Sequence, residues 1–284
     1  RKEFRVGQQF QPIAIVGMGC RMPGGDGVSE YWKLLVEKRS AIGPVPEERL
    51  NRDLYFDSEH GKAGRTYSDL GGIVPERPID RRVCPISDKL LRESDSAHLT
   101  LCEVASTALR DAGIDPSRTP YVRTGVYVGH SGGSCLAGDV GYARYAAMAG
   151  DILRRDDDFP ACSPAERANL ARRLVERVRQ EMPSEESVRD MKFVASNAAM
   201  LIARVHGFEG PTFVVDAACA SSLMAMSQAA QALQRGDIDM ALAGGASYSK
   251  WYGLVLFSMA MSISGSGSRP FDADADGLIS SDGY

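Results

Sequence analysis

The chain has 284 residues, 44% of them apolar and 25% charged, with a formal net charge of −4. It is long enough for one large domain with a sizeable core, and it lacks the clustered basic surface that nucleic acid needs. No apolar run approaches the ~18 to 20 residues that cross a bilayer, and no h-region follows the opening Arg-Lys-Glu-Phe-Arg. No membrane partner, no signal peptide and a cytoplasmic location are therefore expected.

In chain order, residues 12–17 (Pro-Ile-Ala-Ile-Val-Gly) form a short apolar run stopped by glycine, which predicts a strand buried on both faces. A helical pattern begins at Tyr31 and runs to Val36, and residues 41–80 read as a long excursion rich in Pro, Gly and charge. Residues 94–112 predict a helix with Leu101, Val104, Ala105, Ala108 and Leu109 on one stripe and Gly113 as its stop. Residues 124–128 again read as a strand. Ser163-Pro164-Ala165-Glu166 is a capping box with Pro at the first helical position. Beyond it Leu170, Leu174 and Val178 recur among Arg and Glu until Pro183, so 151–190 are expected to form a helical surface elaboration outside the core. Residues 211–215 predict a strand and 240–246 another buried strand, separated by a helix over 220–234 with Gly236 as its stop. Strands alternating with helices indicate an α/β fold.

Six cysteines (Cys20, Cys84, Cys102, Cys135, Cys162 and Cys219) show no CxxC spacing. Free thiols are expected, most of them small buried hydrophobes, with no metal site. Cys219 differs in its setting. The β-branched end of a strand runs through Asp216-Ala-Ala into Cys219, and a helix of small residues follows. Small neighbours permit a sharp turn, and a helix N-terminus offers unpaired N–H groups and the positive end of the dipole. Such surroundings favour a thiolate and can later hold an acyl oxyanion. A buried structural cysteine in a tight turn is the other reading of the same spacing.

Other patterns stand beside this one. Gly129-His-Ser-Gly-Gly133 matches G-x-S-x-G, with Ser131 as a nucleophile and His206 as its base in an α/β-hydrolase. Asp272-x-Asp-x-Asp-Gly277 opens like a calcium loop, but Gly283 stands where the final Glu belongs, so a structural Asp-Gly turn is expected. Gly17-x-Gly19 lacks the third glycine of a dinucleotide fingerprint.

Asp216-Ala-Ala-Cys219-Ala-Ser-Ser-Leu223 resembles the active-site motif of ketosynthases, usually Asp-Thr-Ala-Cys-Ser-Ser-Ser-Leu. The opening from Pro12 through Gly25 resembles the start of type I polyketide ketosynthases almost residue for residue. Glu103-Val-Ala to Ala108-Leu and Asp111-Ala-Gly-Ile-Asp-Pro116 resemble the helix and turn that follow it. Gly125-Val-Tyr-Val-Gly129 and Ala243-Gly-Gly245 resemble two further strand ends, and the stretch from Ser268 to Gly277 resembles the loop beyond the cysteine, all in family order. The length of the 129–193 region is similar to iterative ketosynthases of the enediyne and polyunsaturated-fatty-acid kind. The resemblance implies a thiolase-like layered α/β fold, with 1–284 as its N-terminal half and part of the second half. The C-terminal remainder would be absent.

It implies decarboxylative Claisen condensation of a cysteine-bound acyl chain with a malonyl-type extender. Cys219 would be the acyl acceptor, and Phe257 would lie near the acyl pocket or simply pack in the core. No bound cofactor is implied. Phosphopantetheine on an acyl carrier protein would be the substrate arm, a neighbouring acyltransferase domain would supply the extender, and a homodimer would form. The family's His-Gly-Thr-Gly-Thr and Gly-His motifs are absent from these residues, and His60, His98, His130 and His206 belong to neither. The alternatives are a non-catalytic ketosynthase-like partner with a chain-length or dimerisation role, the Ser131 hydrolase, and a thiolase, whose cysteine lies nearer the N-terminus.

Overall fold

The computed structural model describes residues 11–115, 123–131, 148–153, 155, 163–180 and 194–284. Helix α1 (Val28–Val36) opens the regular structure. Strands β1 (Ile42–Pro44) and β2 (Leu70–Gly72) form a small antiparallel pair around the short helix α2 (Arg52–Tyr55), giving the 41–80 excursion more order than its composition suggests. Helix α3 (Asp88–Glu93) leads to α4 (Ser96–Asp111), where the Asp95 carboxylate accepts the Ala97 N–H at 2.9 Å and supplies the N-cap. Gly113, just past the helix, has φ of 69°, a conformation glycine adopts without strain.

Strand β3 (Thr124–Gly129) is buried at every position. Helix α5 (Pro164–Gln180) starts with the predicted capping box, Glu166 accepting from the Ser163 N–H at 2.7 Å and Ser163 Oγ from the Glu166 N–H at 3.3 Å. Its inward row is Arg167, Ala171, Val175 and Val178, while Leu170 and Leu174 are exposed. Helix α6 (Asn197–His206), strand β4 (Thr212–Val215), a 3₁₀ turn (Ala218–Ala220), helix α7 (Ser221–Gln234), strand β5 (Met240–Gly245) and helix α8 (Trp251–Met259) complete the order.

The central sheet runs β4-β3-β5, all parallel. Alternation along β3 sorts its side chains to two faces. Val126 and Val128 enter a cluster with Leu101, Val104 and Leu109 of α4 and Leu201 and Ile202 of α6. Tyr127 points the other way, to Ala225, Ala229 and Ala232 of α7. Helices thus cover both faces, the arrangement parallel sheets require. A third cluster (Val45, Leu50, Tyr67, Leu254 and Ile263) joins the β1–β2 region to α8. Buried Asp282 stands between it and the main core at Val74: its carboxylate accepts the Ser249 N–H at 2.6 Å and the Val74 N–H at 3.0 Å and lies 3.6 Å from Arg49.

Two expectations need correction. Residues 12–17 are not a strand. Gly17 and Gly19 lie against the α4 backbone, where a Cβ on Gly19 would come 2.6 Å from the Val104 carbonyl, yet Ile15 is 75% exposed and Val16 is exposed too. The segment has one supported side and no neighbouring strand among the described residues, so its apolar pattern is unused. Strand β5 is only partly buried, apart from an exposed Ala243, rather than enclosed on both faces.

His206 closes α6 with Nε2 2.9 Å from Ser106 Oγ on α4. The Ser106 hydroxyl donates to the Cys102 carbonyl at 2.8 Å, so the imidazole N–H is the donor of the pair. Burial pushes the His206 pKa down to about 4. An unfolded imidazole titrates near 6.5, so the stability is whole above about pH 6.5 and is lost as pH falls through about 4. The loss is on the order of 3 kcal/mol. His206→Gln keeps a donor toward Ser106 and removes the titration. Denaturation midpoints measured between neutral pH and pH 4 are expected to show a flatter acid limb for that variant.

Candidate active site

Cys219 is exposed, in the 3₁₀ turn between the C-terminal end of β4 and the first turn of α7. Local hydrogen bonds fix the turn. Asp216 Oδ1 accepts the Ala218 N–H at 3.0 Å, Ser221 Oγ accepts the Ala217 N–H at 2.9 Å, and the Ser221 hydroxyl donates to the Ala218 carbonyl at 2.6 Å. Ala218, immediately before the thiol, has φ of 49°, a left-handed conformation costing a residue with a Cβ on the order of 1 kcal/mol. The surroundings hold that bend and so present the Cys219 side chain outward beyond the strand ends, where parallel α/β sheets place their ligands.

Glycines at those strand ends bring α7 down onto the sheet. Gly129 pairs with Val215 on one side and Gly245 on the other. A Cβ on Gly129 would collide with the Ser221 carbonyl carbon and the Ser222 nitrogen, and one on Gly245 with Ser222 Oγ. The close approach sets the first turn of α7 against the strand ends, beside the cysteine. Gly129→Ala must push this turn away because backbone atoms block it. A loss of about 1–3 kcal/mol is expected in the denaturation midpoint, together with slower acyl loading. Gly43→Ala in β1, where nothing lies within 4 Å of the added carbon, is expected to stay within about 0.5 kcal/mol.

The other sequence candidates fall elsewhere. Ser131 is exposed at the end of β3, but His206 is held by Ser106, so the Ser131–His206 pair of the hydrolase reading is not formed. His130 is buried and its Nδ1 lies 3.0 Å from the Ala246 carbonyl, with the buried His98 ring edge-on to it at 5.5 Å. His60 stacks on Tyr67 at 3.7 Å. Phe257 is half-buried against the cluster of Leu254 and Ile263. Among the described residues no group of three or more His, Cys, Asp or Glu side chains is arranged to hold a metal ion, and the Asp272 turn closes on itself, the Asp274 N–H donating to Asp272 Oδ1 at 2.8 Å. Cys135 and Cys162 lie outside the described residues. Sequence reasoning missed the strained Ala218, the Ser221 side chain that locks the turn, and Asp282. Only the Ser-Ser pair after the cysteine carried a signal, since a hydroxyl at a helix start commonly closes the preceding turn.

A sequence profile described as "Beta-ketoacyl synthase, N-terminal domain" matches residues 10–284. The chain belongs to the β-ketoacyl synthase family. Among curated relatives, this β-ketoacyl synthase chain is 33% identical over 279 residues to the "Spectinabilin polyketide synthase system protein NorA" of Streptomyces orinoci, covering 96% of this chain and 12% of that protein. It is 32% identical over 272 residues to the "Polyketide synthase GfsB" of Streptomyces halstedii, covering 94% of this chain and 4% of the relative. The ketosynthase from module 6 of the bacillaene synthase of Bacillus subtilis 168 superposes with a TM-score of 0.69 at 26% identity. That match covers 95% of this chain and 38% of the solved one. The fold is the thiolase-like α/β fold of ketosynthase domains, and the chain spans a minor part of each relative's length.

Proposed function

We propose that this chain contributes the acyl-accepting half of a decarboxylative Claisen condensation, with Cys219 as the nucleophile. The observation that carries this reading is an exposed thiol on a locked, strained turn at the C-terminal end of a parallel sheet, at the mouth of a helix. The Cys219 sulfur attacks the thioester carbonyl of an acyl group carried on a phosphopantetheine arm. The Cys219 backbone N–H helps hold the oxyanion, and the arm's thiol leaves with a proton. A malonyl-type extender on a carrier protein then loses CO₂, and its carbanion attacks the Cys219 thioester. A carbon–carbon bond forms, the carbon–sulfur bond breaks and the thiol is restored.

Decarboxylation is assigned to groups other than the four histidines here, three of which are engaged with Tyr67, the Ala246 carbonyl and Ser106. Phe257 is proposed as a wall of the acyl pocket as well as a core residue. The proposed partners are an acyl carrier protein, a neighbouring acyltransferase domain and a second copy of the chain. Strand β4, with one neighbour among the described residues, offers a free edge for that copy. Helix α5, within 151–190, is proposed as a surface elaboration on the strength of its exposed outer face, and residues 154, 156–162 and 181–190 lie outside the described residues. No helix among the described residues is long and apolar enough to cross a membrane, and a cytoplasmic setting is proposed. The test uses the full synthase polypeptide with malonyl-carrier protein and an acylated starter. Expected are an acyl adduct on Cys219 and one CO₂ per carbon–carbon bond formed; CO₂ release with no adduct on Cys219 would overturn the assignment.

A further inference from the structure

Cys84 and Cys102 stand outside the Cys219 site, and each is 0% exposed. Their sulfurs are 3.6 Å apart. Cys84 ends the surface turn that begins at Asp80, whose carbonyl accepts the Cys84 N–H at 2.9 Å, and it is flanked in sequence by half-buried Val83 and exposed Pro85. Cys102 belongs to α4 and lies next to Glu103, whose carboxylate accepts the Asp80 N–H at 2.8 Å and the Arg77 guanidinium at 3.0 Å. The turn is therefore already pinned to α4 beside the two sulfurs. Hydrogen bonding with Cys102 holds the Cys84 thiol below the ordinary range against the effect of burial. The same pairing and burial raise Cys102. One thiol is thus set to ionise, and the other is placed to resolve it.

We propose that Cys84 and Cys102 form a reversible redox pair, oxidised by hydroperoxides to an intramolecular disulfide that clamps the 80–84 turn to α4. Local opening of the surface turn admits the oxidant without unfolding the core. The Cys84 thiolate attacks one peroxide oxygen, the O–O bond breaks, and the departing hydroxide takes up a proton as water. Cys84 is then a sulfenic acid. The Cys102 sulfur attacks it, the S–O bond breaks, and the second hydroxide leaves as water with the Cys102 proton. Two thiols and one hydrogen peroxide give one disulfide and two waters. The sulfurs close from 3.6 Å to about 2.05 Å, a step short enough for side-chain rotation and a small shift of the turn. A thiol such as glutathione reverses it by exchange.

The test treats the full polypeptide with hydrogen peroxide after native alkylation of Cys219, followed by denaturation, alkylation of the remaining thiols and peptide mapping. Expected is a Cys84–Cys102 linked peptide pair about 2 Da lighter than the sum of its thiol forms, restored by dithiothreitol. Cys102→Ala should leave Cys84 trapped as a sulfenic acid that dimedone labels, and Cys84→Ser should abolish both signals. Circular dichroism of both variants confirms that they fold. Recovery of Cys84 and Cys102 as free thiols at peroxide doses that oxidise Cys20 would overturn the proposal, as would linkage of either to a different cysteine.

Discussion

Limited iodoacetamide treatment of the native protein is expected to label Cys219 before Cys20, Cys84 or Cys102, by at least tenfold in initial rate. Alkylation needs both access and a thiolate. Cys84 and Cys102 are 0% exposed, so a reagent larger than peroxide reaches them only through opening of the core cluster to which they belong. Cys20 is half-buried, and burial, with the nearby Asp26 carboxylate, raises its pKa above the ordinary thiol value. Cys219 is exposed on its turn. In the full polypeptide Cys219→Ala is expected to bring acyl loading to background, since no other described thiol is exposed. Ser131→Ala is expected to leave loading unchanged, because Ser131 has no histidine base in His206. Mass spectrometry of the intact acyl adduct reads both variants. Loading that survives Cys219→Ala and disappears in Ser131→Ala would return the chain to the hydrolase reading.

The residues whose pattern is local were the legible ones. The capping box at Ser163 and the central strand β3 follow from short-range spacing, and the structure has them where the spacing places them. The small residues around Cys219 signalled a tight turn, and the turn is there, but its lock, the Ser221 side chain across Ala217 and Ala218, depends on backbone angles that no spacing reveals. Sequence reasoning missed helix α6, although it carries a local stop, Gly207 at φ of 70° after Arg204 and His206 in the last turn. No side chain caps its Asn-Ala-Ala start, and its inner face packs on α4 and the sheet. The 12–17 run failed for the opposite reason. Apolar content predicts burial only when something covers it. The row facing inward on α5 differs from its most apolar stripe, because Leu170 and Leu174 outrank Ala171 in apolar character alone. The small Ala171 lies inside, where its carbonyl is 3.6 Å from where a Cβ on Gly150 would be.

Helix α7 carries the other large expected effect. One face, Ala225, Ala229 and Ala232, lies on the sheet. Away from that alanine face Leu223 is 71% exposed, with Met224 and Met226 also exposed, and Ile15, Val16 and Trp32 add exposed apolar surface elsewhere. Three large apolar side chains exposed within four residues of one helix mark an interface or an aggregation hazard. Our proposal is that a further layer of the ketosynthase fold covers α7. The solved relative is consistent with this, since the present chain spans 38% of it. Residues 1–284 expressed alone are then expected to self-associate in light scattering. They should release labelled CO₂ from malonyl-carrier protein at background, because preorganised donors at a developing negative charge are worth about 3–4 kcal/mol and none is assigned here to the decarboxylating extender. Leu223→Lys separates the explanations. In the isolated chain it should reduce self-association, since the charge sits on a face that is open. In the full polypeptide the same change should bury an unpaired ammonium, cost several kcal/mol and lower condensation at least tenfold. Unchanged turnover of the full-length Leu223→Lys variant, or turnover by residues 1–284 comparable to the full enzyme, would show that α7 faces solvent and that the catalytic groups lie within this chain.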